Sequence, residues 1–332
     1  MKTGEGIKKI VNYQHLGLII ALAVLLIFAG IFVPAFFSFR SIASMLANNA
    51  IYAILSVGIM FVLLTGEIDV SVGSTIAISS ICVSWILSAA PGISPVVLII
   101  AGVAAGVICG AFNGFFAGTL GIASMIVTLS SMYIFRGLCF VMTGGVWFNP
   151  DDFPESFTAL SQAKVLGFNS IVIWAVVIFI LAAFFLVYTR PGRRLYAVGS
   201  NAESARISGI ATGSVRLLAF TLCGALAGLS GVLYAAYYAS VNSEICSGYE
   251  MKAIAICILG GVSISGGRGR IDGVVISTLL MSVLTYLLSM LPGFSIWQNA
   301  LQGLLILLAV AVNYLNSRLS ERRALEAKEA LI

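Results

Sequence analysis

"LLTGEIDVSVGST", residues 63–75, sets Glu67 and Asp69 two positions apart between long apolar runs, with Ser71, Ser74 and Thr75 close behind. The whole chain has 332 residues, 60% of them hydrophobic and 9% charged, with a mean hydropathy of +1.07. A soluble domain carries about a quarter charged residues, so the composition implies an integral membrane protein. An ionised carboxylate at the bilayer centre costs about 2.5–3.5 kcal/mol on insertion scales. Two of them this close must lie at a membrane edge or line a wet cavity.

Working outward, apolar stretches of near-spanning length fall at about 16–33, 45–65, 71–90, 95–119, 122–143, 169–188, 215–238, 253–267, 272–291 and 296–315. A hydrocarbon core takes about 20 helical residues. The expected fold is therefore an all-α, polytopic helical bundle with about ten transmembrane helices. The segment 253–267 is the short, Gly-rich exception. The first run is long enough to span rather than only to target, and no secretory cleavage pattern is evident.

The basic residues orient the bundle. With both termini cytoplasmic, the inner face holds a tail at 1–15, a loop at 189–214, the 268–271 turn and a tail at 316–332. The transmembrane domain runs over 16–315. These inner regions, with the adjoining Arg216, carry fourteen of the eighteen Lys and Arg. Arg40, Lys164 and Lys252 fall outside and Arg136 lies within a span, which follows the positive-inside rule. The acidic loop "FNPDDFPESF" (148–157) then faces outward. The net charge of +5 reflects this topology and points to no nucleic-acid partner.

Six scattered cysteines form no CxxC pair and read as small packing residues. His15 is the single histidine, so a histidine-based metal or catalytic centre is not expected. "GVAAGVICGAFNG" (102–114) and "CGALAGLSGVLYAA" (223–236) repeat Gly or Ala at three- to four-residue spacing. Such faces let helices approach closely in lipid.

The stretch at 67–75 admits two readings. In one, a tight turn joins two spans, Ser71 and Ser74 cap the next helix, and Asp69 is an anion at its start. In the other, a broken helix uses these side chains to bind a polar solute or to hold a gate. A second polar segment, 242–270, has Glu244, Glu250 and Lys252 at the outer mouth and five glycines between 260 and 269. That density disfavours a continuous helix and suggests a re-entrant or irregular hairpin. Asn48, Asn49, Asn113, Thr128, Asn299 and Gln302 either bond solute hydroxyls or join helices. Arg136 is expected to pair with a carboxylate of another span, and Tyr234, Tyr237 and Tyr238 fit an interfacial belt.

In the basic loop, "NAESARISGI" (201–210) has a capping residue, a short helix-forming run and a Gly stop. A short exposed helix there either fits a groove on a cytoplasmic partner or lies on the membrane. No Walker pattern GxxxxGK[ST] occurs, so ATP hydrolysis by that route is not expected of this chain.

"GEIDVSVGS", "PGRRLYAVGSN", "NAESARISGI" and "GYEMKAIAICILGGVSISGGRGRIDG" occur in that order. They resemble the permease subunit of bacterial ABC sugar importers of the ribose, xylose, rhamnose and autoinducer-2 group, from about Phe36 to Asn313. The resemblance implies a multi-pass protein of the bacterial inner membrane. It also implies a second permease subunit, a cytoplasmic ATPase that holds ATP and magnesium, and a periplasmic sugar-binding protein, with no cofactor in this chain. By position, the coupling element would comprise Asn201, Glu203, Ala205, Arg206 and Gly209. Glu67, Asp69, Ser71, Asn113 and Glu250 are candidates for the translocation path or gate. Lys252 departs from the pattern, standing where many members carry Asp. The rival readings are an ion- or proton-coupled secondary transporter working through Glu67, Asp69 or Glu250, and an intramembrane enzyme. The enzyme lacks a nucleophile–base pair or metal cluster in the sequence.

Overall fold

A computed structural model describes residues 16–291 and scattered positions between 293 and 307. The elements are α1 Leu16–Phe32, α2 Phe39–Leu64, α3 Val72–Ala89, α4 Pro95–Gly114 continued by a π turn Phe115–Thr119, α5 Ser124–Thr143 and α6 Glu155–Gln162. There follow a two-stranded hairpin (β1 Lys164–Val165, β2 Phe168–Asn169), α7 Ser170–Tyr188, α8 Arg190–Ser200, α9 Ala202–Ile207, α10 Thr212–Tyr238, α11 Tyr249–Leu259 and α12 Ile271–Met290. Seven are long and apolar enough to cross a membrane: α2, α3, α4 with its π turn, α5, α7, α10 and α12.

Seven of the ten expected spans thus have full-length counterparts. α1 is apolar but has 17 residues. The segment 253–267 is no spanning helix: α11 has 11 residues, about 16 Å at 1.5 Å per residue, half of a hydrocarbon core. It stops because Gly261, Gly266 and Gly267 adopt φ of +82°, +85° and +70°, a region that costs side-chain-bearing residues about 1–2 kcal/mol. The expected span at 296–315 lies largely, and the tails at 1–15 and 316–332 wholly, outside the described residues.

Two groups of three helices share one plan. α2 is followed by a non-helical return (65–71), then by α3, then by α4. α10 is followed by a non-helical return (239–248), then by α11, then by α12. The groups run in opposite senses. Tyr52 meets Tyr249 and Ser56 meets Cys257, so α2 runs parallel to α11. Ser79 and Ser80 donate to the carbonyls of Gly228 and Gly231, so α3 runs parallel to α10. α3 is central, with every residue from Ser71 to Ile81 buried. α7 lies at the rim and exposes Val176, Ile180, Phe184 and Val187.

The tightest contact in the bundle is a glycine seam. Gly102, Gly106, Gly110 and Gly114 recur every four residues on α4, continued by Gly118, and so lie along one face. Opposite them on α10 stand Gly228, Gly224, Phe220, Leu217 and Gly213, and a Cβ at Gly106 or Gly110 would collide with the carbonyl oxygen of Gly224 or Phe220. Ser79 of α3 fastens both helices, its hydroxyl lying 2.7 Å from the Gly228 carbonyl and 3.0 Å from that of Gly102. The small-residue spacing in the sequence is therefore an internal joint of this chain.

Candidate functional site

The opening stretch is a broken helix. After α2, Gly66 takes φ +79° and the chain reverses, then returns without helical structure over 67–71 before α3 begins. This return is tied to α5: the Ile68 amide donates to Ser124 Oγ at 3.2 Å, and Thr128 Oγ1 donates to the Ile68 carbonyl at 3.3 Å. Asp69 is 2% exposed. Its Oδ1 accepts from the Ser71 amide at 2.9 Å and the Ser71 hydroxyl at 2.7 Å. Asn113 of α4 donates from Nδ2 to the same hydroxyl at 2.7 Å. Asp69, Ser71 and Asn113 are thus one buried cluster at the start of α3, where a carboxylate faces the positive end of the helix dipole. Ser71 is the N-cap residue without a capping bond of its own. It acts by handing its hydrogen bond to Asp69. Glu67 lies apart from this cluster and pairs with Arg216, on the first turns of α10, at 2.9 Å.

The other return, 239–248, ends in Cys246 at φ +56° and Gly248 at φ +84°. Glu250, 8% exposed, accepts from the Gly248 amide through Oε1 at 3.2 Å. A Cβ on Gly73 would come within 2.5 Å of both Glu250 Oε2 and the Cys246 carbonyl. The starts of α3 and α11 therefore abut, each with its own carboxylate. Oppositely directed helices that begin at breaks inside the bundle are the architecture in which transporters place solute and ion sites.

Two expectations change here. Among the described residues Arg136 pairs with no carboxylate: its Nη1 donates to the carbonyls of Ser243 and Ile245 at 2.7 and 2.9 Å, because the return has no regular structure to satisfy them internally. Lys252 does not sit at an outer mouth. It is 8% exposed within α11, with Nζ 3.8 Å from the Tyr52 ring centroid and 3.5 Å from Asn49 Oδ1. The acidic loop contains a short helix, α6, whose Ser161 and Gln162 donate to the last carbonyls of α10.

At the opposite end of α10, Asn201 caps α9 by accepting from the Ser204 amide at 2.8 Å, and Gly209 closes it at φ +78°. Glu203 and Arg206 form an exposed pair at 2.6 Å. Arg206 holds the Glu203 carboxyl below the usual carboxylate range, and Glu203 in turn raises the Arg206 guanidinium. Ile207 is 77% exposed while Ala205 is buried. The stretch 190–200, which reads as loop in the sequence, is helical, and this α8 seats the element. A Cβ on Gly199 would strike the Leu64 carbonyl, the Gly267 amide donates to that same carbonyl at 3.0 Å, and the Tyr196 hydroxyl donates to the Gly269 carbonyl at 3.0 Å. The α8–α9 segment therefore rests on both turns that lead into and out of the broken helices. Nothing local in the sequence marks Gly199 for this contact.

Seven apolar spans, a buried polar crossing of two helix starts, and an exposed helical element resting on their turns define a multi-pass membrane transport subunit. A family model described as "Branched-chain amino acid transport system / permease component" matches residues 41–310, and the chain belongs to that family. The chain is 37% identical over 300 residues to the ribose import permease protein RbsC of Bacillus subtilis, covering 90% of this chain and 92% of that protein. It is 32% identical over 301 residues to the autoinducer 2 import system permease protein LsrC of Salmonella typhimurium, covering 91% and 86%. The LsrC of Enterobacter sp. is 35% identical over 274 residues, covering 82% and 79%. No solved structure matches.

Proposed function

We propose that this chain is the membrane-spanning subunit of an ATP-driven importer for a monosaccharide-sized polyol, with ATP and magnesium bound by a separate ATPase chain. The relatives named for ribose and autoinducer 2 support a polyhydroxylated solute. The observation that carries the ATP-driven reading is α9, a short helix with Glu203, Arg206 and Ile207 exposed, carried by α8, which packs on the turns at Gly66 and Gly267. A partner that moves α9 moves both broken helices with it, a rigid-body route to alternating access. Asn201, Glu203, Ala205, Arg206 and Gly209 form the docking element. Glu67, Asp69, Ser71, Asn113 and Glu250 belong to the gate rather than to a proton relay, since each carboxylate already has a partner within the fold.

On this reading the α8–α9 end is cytoplasmic, as are both termini, ten segments cross the bacterial inner membrane, that of α11 as a non-helical return followed by a half-length helix, and the tails at 1–15 and 316–332 flank a single transmembrane domain. The α6 end receives a periplasmic sugar-binding protein, and a second permease subunit completes the pathway. Affinity purification of the tagged chain from its native membrane in mild detergent, with mass spectrometry of co-purifying proteins, tests this. Recovery of an ABC-type ATPase is the expected result. Repeated absence of any ATPase after cross-linking would favour the secondary-transporter reading.

A further inference from the structure

The tyrosines at the end of α10 continue inward through rings of two other helices. Tyr234 and Tyr238 of α10 meet one turn apart as tilted rings, with centroids 4.6 Å apart, and Tyr237 meets Tyr238 edge-on at 4.9 Å. The Tyr237 hydroxyl donates to Asn48 Oδ1 of α2 at 3.0 Å. One turn further along the same face of α2 is Tyr52, stacked on Tyr249 of α11 at 4.2 Å. Lys252, one turn beyond Tyr249, closes the series over the Tyr52 ring. Three helices thus contribute five tyrosines, an amide and an ammonium to one continuous column. Its depth is the deciding feature. Tyr52 lies twelve residues before the end of α2 and thirteen after its start, roughly 18–20 Å from either end. Interfacial aromatics sit at headgroup level, so mid-span rings serve another purpose.

Lys252 sharpens the point. A charged side chain within a membrane span is costly and marks a functional path unless it is paired. Among the described residues it has no ion pair, only the ring and one amide oxygen at 3.5 Å. Asn48, Tyr238, Ser247 and Met251 around the column are exposed, and Tyr52, Tyr234, Tyr237 and Tyr249 are half-buried, so the column is reachable.

We propose that this column, from Tyr238 to Lys252, is the binding track by which a neutral polyhydroxylated solute descends from the outer mouth to the crossing of α3 and α11. The rings offer flat apolar faces to the C–H face of a polyol, and the phenol hydroxyls, Asn48 and the ammonium offer alternating donors and acceptors to its hydroxyls. The inference rests on the importer reading for the class of solute, but its test does not. Tyr238→Cys, Tyr52→Cys and, as a lipid-facing control on α7, Ile180→Cys are each placed in the full complex in right-side-out vesicles, in a Cys246→Ser background. They are then treated from outside with a membrane-impermeant charged thiol reagent. Tyr238→Cys and Tyr52→Cys should react at least about tenfold faster than Ile180→Cys. If Tyr52→Cys is as inert as the control, the column faces lipid or a closed core and the proposal falls, even if an ATPase co-purifies. Tyr52→Phe and Tyr249→Phe preserve the ring packing and serve as the conservative variants. With ribose as the probe, each should raise the half-saturating concentration for uptake severalfold while maximal uptake changes less. Unchanged half-saturation in both would remove the hydroxyls from the track.

Discussion

The α4–α10 seam and the paired returns that open α3 and α11 are both rich in glycine, and they use it for opposite ends. In the seam, Gly106, Gly110, Gly224 and Gly228 have ordinary helical backbone, and the missing side chain lets two helices meet carbonyl against Cα. In the returns and the turns beside them, Gly66, Gly248, Gly261, Gly266 and Gly267 have positive φ. There the missing Cβ frees the backbone itself. The first use makes a joint that cannot slide without clashes, and the second makes chain reversals inside a bundle. A rigid frame and its jointed insert are thus written with the same residue.

Substitutions can break this contrast. The largest effect is expected from Gly106→Leu, since no room exists for even one carbon and the clash is with backbone. Overpacking of a dense core costs about 1–3 kcal/mol and sometimes more, so the variant should be lost from the membrane or should aggregate on detergent size-exclusion chromatography. Wild-type elution would show that the seam is not a joint. Replacing Glu203 and Gly209 together should next abolish uptake, by at least about tenfold, with membrane insertion intact. Normal uptake would remove the docking role of α9. Gly267→Ala comes third, adding about 1–2 kcal/mol of left-handed strain and a clash with Ser200. It should slow transport more than it lowers thermal stability in detergent, whereas the reverse order would make the turn mere scaffold. Arg136→Gln should have a smaller effect, uncovering two carbonyls at a cost of about 1–3 kcal/mol. It should lower uptake severalfold, and Arg136→Lys should restore part of it.

Acid should act least. Glu203 is depressed by Arg206, so what their pair contributes to α9 is present above the ordinary carboxylate range and is lost only as pH falls through the lowered value. Docking of α9 should therefore be flat around neutral pH, as measured by ATPase co-purification across a pH series. A loss of docking near neutrality would assign it to a different group.

Much of this was legible in the chain itself because the governing signals are local. Apolar run length, the four-residue glycine spacing and the Asn201–Gly209 cap-to-stop pattern each sit within one segment, and the structure shows a helix or a helix contact at most of the described places. The misreadings share one cause. For Arg136 charge complementarity is the only partner rule a sequence offers, whereas the acceptors are carbonyls of residues 107 and 109 positions away. That Tyr234, Tyr237 and Tyr238 lead on to Tyr52 and Tyr249 is hidden in the sequence, because those two rings lie on α2 and α11, remote in the chain. Lys252 reads as an outer charge because it precedes the apolar run at 253, whereas α11 already starts at Tyr249 and carries it into the interior.

By itself, then, the amino-acid sequence determined that this is a helical multi-pass membrane protein, where most of its spans lie, and which motifs align it with importer permeases. Tertiary structure alone decided that α11 stops after 11 residues, that the starts of α3 and α11 abut, and that α8 rests on both turns. The physical reason is that lipid solvation and helix caps act within a segment. The pairing of carbonyls, rings and buried charges depends instead on which distant segments the bundle brings into contact.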